Sequence, residues 1–220
     1  MPKIEIPPTP STEFYSVDQE QGDAFTSDDP LALFADWMAL ASKTEPNDVN
    51  ACAVATAGAD GFPNVRTQLL KGISEAGFDL YSNAESAKGR EIADNPRVAL
   101  CFHWKTIRRQ VRVRGTVERL PEAEIDAYFA SRSRGSRIGA WASQQSRPVE
   151  SRAALKAAVA EIEARFEGVD DVPRPEHWVG WRLTPSEIEF WVNQPFRLHD
   201  RLLFTRENAA APWTTKRLFP

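Results

Sequence analysis

The chain has 220 residues, a mass of 24.7 kDa and a formal net charge of −4. Its 42% hydrophobic and 26% charged residues are typical of a folded protein and argue against wholesale disorder. The mildly acidic balance argues against a dedicated nucleic-acid binder, and no apolar run reaches the roughly 18 residues that a membrane-spanning helix needs. Because the first residues lack the basic and apolar regions of a signal peptide, we expect a cytoplasmic protein.

The sequence predicts a flexible arm followed by one domain. Residues 1–27 are rich in proline, hydroxyl and acidic residues and show no sustained period, so we expect a flexible N-terminal arm there. No long Pro/Gly linker follows, which favours a single domain over 28–220. Within that domain Asp29-Pro30 predicts a helix start, and apolar residues at helical spacing extend this helix over 30–43.

The rest of the chain predicts strands that follow one another with few helices between them. Gly115 predicts a bulge or a bend in the longest single strand. This order favours an antiparallel sheet or barrel with helices packed outside, and not parallel βαβ units. The predicted elements are strands at 50–57, 63–73, 78–83, 97–104 and 107–119, helices at 86–95, from Pro121 to a frayed end at 131–135, and at 150–167, a hairpin over 178–192 that turns at 184–186, and strands at 199–207 and 213–218.

The sequence contains no signature of a metal site or of a common nucleotide-binding loop. Cys52 and Cys101 lie in apolar runs and are predicted to be buried free thiols. The histidines, His103, His177 and His199, lack metal-ligand spacing. Because GxGxxG, GxxxxGK[ST] and GxSxG are also absent, any phosphate or cofactor must be held by other side chains.

Cationic residues at predicted element ends indicate possible anion sites. Arg66 and Lys71 are five residues apart on one extended segment, which places them on opposite faces. Lys88 and Arg90 fall in the first turn of a predicted helix, where a cation opposes the helix dipole unless an anion lies between. Each of these cations alone is also compatible with a solvated surface side chain.

Two further clusters favour ligand binding over a purely structural role. Tyr128 and Arg132 share a helix face, and with Ser136 they can enclose one phosphate, although a core tyrosine beside a basic helix end is the alternative. In a strand, Arg197 and His199 would share one face with Arg201 and would repel each other unless they meet an anion or an electron-rich ring.

Seven ordered motifs resemble a known family. They are RTQLLK (66–71), YSN (81–83), SAKGREI (86–92), RRQVRVRGTVERL (108–120), YFASRSRGSRIGAWASQQS (128–146), IEFW (188–191) and RLHDR (197–201). Together they resemble the pyridoxine/pyridoxamine 5′-phosphate oxidases, FMN enzymes of vitamin B6 metabolism. The resemblance runs from about residue 28 to 220. It implies a mainly β fold with flanking helices, an antiparallel split β-barrel of the FMN-binding type, and a homodimer with two FMN sites at the subunit interface.

The resemblance also implies a role for individual side chains. Arg197 and His199 would be catalytic, orienting the substrate ring and helping to remove a proton. Asp48 falls where the family has an acidic active-site residue. The FMN-binding residues would be Arg66, Thr67, Leu70, Lys71, Tyr81, Ser82, Lys88, Gln110, Gln145, Ser146, Trp191 and Arg201. The substrate-binding residues would be Lys71, Tyr128, Arg132, Ser136, Arg197 and His199.

Two positions depart from the family pattern. Ala87 stands where many relatives have a second cation before the lysine, so the FMN phosphate would depend more on Arg66, Lys88 and hydroxyl groups. The arm around Tyr15 lacks the arginines that the family often carries there, which leaves closure of this arm over the substrate open.

The implied reaction oxidises pyridoxine 5′-phosphate and pyridoxamine 5′-phosphate to pyridoxal 5′-phosphate, with O2 as acceptor and release of H2O2. Two other functions stay open. One is a related oxidase with a different substrate, such as the phenazine-pathway relatives. The other is a non-catalytic module that binds FMN or pyridoxal phosphate. The predicted phosphate clamp of Lys71, Tyr128, Arg132 and Ser136 argues against an unphosphorylated substrate.

Overall fold

The computed structural model describes residues 24–220, so Tyr15 and most of the predicted arm lie outside the described residues. Of the predicted arm, Ala24 and Phe25 contact Trp37: the indole N–H donates to the Ala24 carbonyl at 3.0 Å, and the Phe25 ring stacks at 6.1 Å. The elements are α1 (Pro30–Ala41), β1 (Ala51–Ala57), β2 (Pro63–Leu69), β3 (Gly72–Ser74), β4 (Gly77–Asn83), α2 (Ala87–Asp94), β5 (Arg97–Trp104), β6 (Arg109–Arg119), α3 (Glu122–Ala130), α4 (Arg134–Ala142), α5 (Arg152–Arg165), β7 (Trp178–Val192), a short 3-10 turn (Pro195–Arg197), β8 (Asp200–Thr205) and β9 (Thr214–Leu218).

The strands form one antiparallel sheet that curls into a half-barrel. Its order is β2-β1-β5-β6-β7-β4-β3, and β8 and β9 continue it beside the second half of β7. The two ends of the curl meet where the Lys71 backbone N–H donates to the Asp79 carbonyl at 3.0 Å. The Gln68 side chain adds a hydrogen bond of 2.7 Å to the Tyr81 carbonyl. The predicted mainly β, antiparallel architecture with outer helices is confirmed.

Helix α1 supplies the aromatic centre of the core. Asp29 caps it by accepting from the Leu31 backbone N–H at 2.8 Å, as Asp29-Pro30 predicted. Phe34 is fully buried, and its ring centroid lies 4.9 Å from that of Phe102 and 5.1 Å from that of Phe78. These edge-on contacts join the helix to both halves of the sheet.

The predicted strand over 63–73 is two strands, β2 and β3. The chain changes partner between them, because the Leu70 backbone N–H donates to the Asn50 carbonyl whereas that of Lys71 donates to the Asp79 carbonyl. The expectation that one extended segment carries both Arg66 and Lys71 is therefore wrong, since a break between β2 and β3 separates them.

The predicted hairpin over 178–192 is one continuous strand, β7. On one side β6 pairs with both halves, and the predicted bulge at Gly115 is present where it faces Pro185. A Cβ on Gly115 would lie 2.0 Å from the Thr184 carbonyl oxygen, so only glycine fits. On the other side β4 pairs with 178–183 and β8 with 187–192. Pro185, which has no N–H, falls between these two partners.

Two further predictions differ from the structure. The segment expected to fray after residue 130 continues into helix α4, whose cap is the Ser133 hydroxyl, so Ser136 lies inside a helix. Arg197 lies in the 3-10 turn and β8 begins only at Asp200, so Arg197, His199 and Arg201 do not share a strand face.

Replacing Phe34 with alanine should lower the free energy of unfolding by about 3–5 kcal/mol, because it leaves a cavity among the core rings. Urea unfolding followed by tryptophan fluorescence measures this change. Phe62→Ala is the matched control, because its ring is 77% exposed and should change the unfolding free energy by less than about 0.5 kcal/mol. Similar losses in both variants would contradict the assignment of the core.

Candidate active site

A cavity of about 440 Å³ lies where the two ends of the curled sheet meet helices α2 and α4. Six of its lining residues were not among the predicted site residues: Gln68, Asn83, Gly139, Ala140, Ser143 and Trp178. The structure brings together here eight residues that the resemblance implied: Arg66, Thr67, Tyr81, Ser82, Lys88, Arg132, Ser136 and Gln145.

Lys88 is the central cation of this cavity. It lies in the first turn of α2, which packs so closely on the preceding turn that a Cβ on Gly89 would lie 2.1 Å from the Ala84 carbonyl oxygen. The side chain is 6% exposed, and its ammonium donates to the Ser82 hydroxyl. Within residues 24–220 it forms no salt bridge. Burial, together with the nearby charge of Arg66, lowers the pKa of Lys88 to about 8.

A relay of hydrogen bonds links this lysine to the segment after α4. The Ser82 hydroxyl accepts from Lys88 and donates to Gln145 Oε1 at 3.1 Å. Ser146, the next residue, has a φ of 70° and does not line the cavity. Ser82 and Gln145 are 63 residues apart in the chain, so only the folded sheet and α4 together produce this contact.

Arg66 is held in place by a carboxylate. Its Nη2 lies 2.9 Å from Glu91 Oε2, and its Nη1 donates to the Thr56 hydroxyl and to the Val54 carbonyl. The Asn64 amide donates to the other Glu91 oxygen at 2.8 Å. Although burial opposes it, the hydrogen bonds from Thr56, Asn64 and Arg66 lower the pKa of Glu91. A charged Glu91 therefore fixes the orientation of Arg66.

Arg132 closes another side of the cavity with an unpaired donor. Its guanidinium lies 5.0 Å from the Trp178 ring centroid and 5.5 Å from that of Phe129, and burial lowers its pKa. Its Nη1 is buried without a hydrogen-bond partner in the described part of the chain. Tyr128 stacks on Tyr81 at 4.1 Å, next to this group. A buried, unpaired guanidinium N–H is suited to an acceptor such as phosphate.

A second group of implied residues lies at the opposite end of β7. Ser82 pairs in register with Val179, near the start of that strand, whereas Gln110 pairs with Trp191 near its end. Arg201 pairs with Trp191 from the other side. The two groups are therefore separated by most of a 15-residue strand.

A buried carboxylate orients the cation of this second group. Glu189 is 4% exposed and accepts from Arg201 Nε at 2.8 Å and from Arg112. Although burial opposes it, the hydrogen bonds from the two arginines lower the pKa of Glu189. Arg201 Nη1 also donates to the Phe219 carbonyl at 2.8 Å, so the guanidinium is held on two sides.

His199 is presented in one protonation form. Its ring lies 4.5 Å from the Trp191 ring, and its Nδ1 accepts from the Gln194 backbone N–H at 3.1 Å. Burial and the charge of Arg197 lower its pKa. The neutral ring therefore carries its proton on Nε2. Phe196 and Arg197 both have positive φ values, 57° and 63°, which is the backbone strain often found at functional sites.

Besides Ser146, three implied residues belong to neither group. Leu70 is buried in the core, 5% exposed. Lys71 is exposed beyond the end of β2, and Asp48 is exposed before β1 with a φ of 41°. The structure does not bring these side chains into the cavity.

Sequence reasoning missed the residues that support the site. Gln68 is two residues after Arg66 on β2, and Glu91 is three residues after Lys88 on α2, so each shares a face with a predicted ligand residue. This spacing along the strand and the helix could have predicted both supporting residues. Thr56 and Glu189 carried no such signal, because their partners lie on other strands.

Two family models match the chain. One described as pyridoxamine 5′-phosphate oxidase matches residues 40–166, and one described as the pyridoxine 5′-phosphate oxidase C-terminal dimerisation region matches residues 178–220. The pyridoxine/pyridoxamine 5′-phosphate oxidase of Maricaulis maris is 56% identical over 217 residues, which are 98% of this chain and 97% of that protein. The Brucella canis protein of the same name is 58% identical over 199 residues, 90% of this chain and 98% of that protein.

Solved structures agree with this fold. PhzG of Burkholderia lata, in complex with tetrahydrophenazine-1-carboxylic acid, has a TM-score of 0.84 at 32% identity and covers 93% of this chain and 100% of that chain. A pyridoxamine 5′-phosphate oxidase-related, FMN-binding protein of Nostoc punctiforme has a TM-score of 0.69 at 17% identity, covering 89% of this chain and 100% of that chain. The predicted split β-barrel is confirmed.

The curled antiparallel sheet and its cationic cavity define a split-barrel protein of a flavoprotein class. The chain belongs to the pyridoxine/pyridoxamine 5′-phosphate oxidase family of oxidoreductases, and the resemblance in its motifs is confirmed. Between residues 24 and 220 no helix is long and apolar enough to cross a membrane. The same residues contain no His/Cys/Asp/Glu group suited to a metal ion.

Replacing Glu91 with glutamine should lower the free energy of unfolding at pH 7 by about 1–2 kcal/mol, because Arg66 loses its ionic partner. Since folding lowers the pKa of Glu91 below its ordinary 4.5, this stabilisation is present above about pH 4.5 and is lost as the pH falls through the lower folded value. Urea unfolding of wild type and variant between pH 7 and pH 3 measures the difference.

The exposed Glu75 provides the control, since Glu75→Gln should change the unfolding free energy by less than about 0.5 kcal/mol at any of these pH values. A difference between wild type and Glu91→Gln that does not change with pH would contradict the role of the Glu91 charge.

Proposed function

We propose that the protein is an FMN-dependent oxidase that converts pyridoxine 5′-phosphate and pyridoxamine 5′-phosphate to pyridoxal 5′-phosphate, with O2 as acceptor and release of H2O2. The observation that carries the proposal is Lys88: a buried ammonium, without a salt bridge in the described chain, facing a cavity beside Arg66. A buried cation is costly unless it is paired, and a phosphate monoester supplies the missing charge.

The residues of the cavity fit the phosphate of FMN. Arg66 and Lys88 provide two cations, and Ser82 provides a hydroxyl already aligned with Lys88. Ala87 adds no further cation, so we assign the phosphate end to these three residues. Gln145 and Tyr81 line the same cavity, and we assign them to the remainder of the cofactor.

The second group of residues completes the site in our proposal only if a second subunit supplies it. Trp191, His199 and Arg201 lie at the far end of β7 from Ser82. They fall within residues 178–220, which match the dimerisation region of the family. We therefore propose a homodimer in which the cavity of one chain faces the Trp191 end of its partner. Gln110, opposite Trp191 in the sheet, belongs to the same end.

We assign the substrate phosphate to Arg132, Ser136 and Tyr128, and we leave Lys71 out of this assignment because its exposed side chain does not line the cavity. The buried, unpaired Nη1 of Arg132 supports this assignment. Ser136 lines the cavity, and its hydroxyl accepts from Ser133 at 2.9 Å, which leaves its own proton for a phosphate oxygen. Holding the phosphate fixes the ring and lowers the entropic part of the barrier.

The proposed mechanism follows from the chemistry of these side chains. Bound FMN supplies the two-electron oxidation and the transfer of electrons to O2. Arg197 and His199 orient the substrate ring. Because His199 accepts at Nδ1 and carries its proton on Nε2, it donates a hydrogen bond to the substrate and does not serve as the base. The proton-removing role expected for this histidine is therefore not part of the proposal.

An anaerobic reduction assay tests the proposed function. Pyridoxine 5′-phosphate or pyridoxamine 5′-phosphate added to the FMN-loaded protein should bleach the flavin absorbance, and admitting air should restore it. Arg197→Ala should bind FMN normally and bleach at least about 100-fold more slowly, because the ring is no longer oriented. A flavin that stays yellow with both substrates would overturn the proposal and favour an oxidase with another substrate or a binding module.

The affinity for FMN should fall as the pH rises above 8. The pKa of Lys88 in the ligand-free protein is about 8, so its side chain carries a positive charge below that pH and loses this charge above it. Between pH 7 and pH 9.5 the phosphate stays dianionic, and Kd should rise by about tenfold or more. Fluorescence quenching of FMN measures this change.

Lys88→Arg and Lys88→Met serve as controls, because neither side chain titrates in this range. Both variants should give a Kd that does not change between pH 7 and pH 9.5, and the methionine variant should bind more weakly throughout. A wild-type Kd as constant as theirs would contradict the role of Lys88.

A further inference from the structure

Gln68 presents an unpaired acceptor in the same cavity. It lies on β2 two residues after Arg66, so both side chains point to the same face of the strand. Its Nε2 donates to the Tyr81 carbonyl at 2.7 Å. Because a carbonyl oxygen only accepts, this bond fixes which end of the amide faces Tyr81. Gln68 Oε1 is buried and has no hydrogen-bond partner among residues 24–220.

The missing partner of Gln68 must be a donor. A phosphate dianion offers only acceptor oxygens, so it satisfies Arg132 Nη1 and not Gln68 Oε1. These two unpaired atoms belong to residues that line one cavity, but Gln68 Oε1 needs a hydrogen-bond donor whereas Arg132 Nη1 needs an acceptor. The phosphate that we assign to Arg132 therefore leaves Gln68 without a partner, and a hydroxyl or N–H group on the ligand bound by Arg66 and Lys88 would supply the missing donor.

The position of Gln68 indicates which part of the ligand lies there. Residues two apart on a strand are about 7 Å apart. The ligand group that Gln68 contacts should therefore be only a few bonds away from the phosphate that Arg66 is assigned to hold. In FMN the group next to the phosphate is the ribityl chain, which carries three hydroxyls. The flavin ring N–H is farther from the phosphate.

We propose that Gln68 recognises the polyol chain of the cofactor, with Oε1 accepting a hydrogen bond from a ribityl hydroxyl. This assignment rests on the proposed function, because it takes FMN as the occupant of the cavity. Gln68 then selects a hydroxylated phosphate ester over one with a plain alkyl chain, while Arg66 and Lys88 bind the phosphate of either.

Two flavins that differ only in this chain test the proposal. One is FMN, and the other carries an unhydroxylated pentyl phosphate at the same ring nitrogen. Gln68→Met should raise the Kd of FMN by about tenfold, the effect of one hydrogen bond, and that of the alkyl analogue by less than about twofold. Gln144→Met, at an exposed position, is the control and should leave both values unchanged.

The comparison separates recognition from structure. Gln68→Met also removes the hydrogen bond to Tyr81, but a loosened cavity weakens both ligands equally. Equal losses for the two flavins, or no loss for either, overturn the assignment of Gln68 alone. If the wild-type chain binds neither flavin, the proposed function fails and this inference fails with it.

Discussion

The closure of the sheet between β2 and β4 is the constraint on which the site depends. A backbone hydrogen bond from Lys71 to Asp79 and the side-chain bond from Gln68 to Tyr81 bring together two edges of one curled sheet. Arg66 comes from one edge and Ser82 from the other. Without that junction the cavity has no second wall, and the cations of β2 and α2 would face solvent with no reason to be near each other.

The charges of the proposed cofactor site are arranged unequally. The two arginines of the proposed cofactor site are each held by a carboxylate, Arg66 by Glu91 and Arg201 by Glu189. Such pairs fix a flat guanidinium while leaving part of its edge for a ligand. Lys88 has no such partner in the described chain and is the more buried group. The folded protein therefore carries positive charge that is oriented at two places and uncompensated at a third, which is the arrangement expected of an anion site.

Local patterns predicted the parts of this structure that depend on local physics. The alternation of Val111 and Val113 with arginines, the bulge at Gly115 and the cap at Asp29 are each set by neighbouring residues and were found in the structure. The contact of Ser82 with Gln145 depends on packing between distant segments, so the sequence alone could not predict its geometry.

The continuity of β7 escaped prediction for a similar reason. Thr184-Pro185-Ser186 resembles a turn, and only the change of partner from β4 to β8 explains why a proline is tolerated there. The prediction that Arg197 shares a strand face with His199 and Arg201 fails because strand alternation does not hold across a turn whose backbone has positive φ values. The order of the motifs identified the family, but it did not show which residues one chain brings together.

The length of β7 connects these observations. One strand pairs with β4 near the cavity and with β8 near Trp191, and it is rigidly paired with β6 along both halves. A ligand bound at one end therefore does not reach the other end of the same chain. If the site uses both groups, their separation is fixed by the strand and only a second copy can bring them together. In the proposed homodimer, the paired length of β7 would therefore make association a requirement for a complete site, and the turn at Phe196 and Arg197 would contribute to the site of the partner and not to that of its own chain.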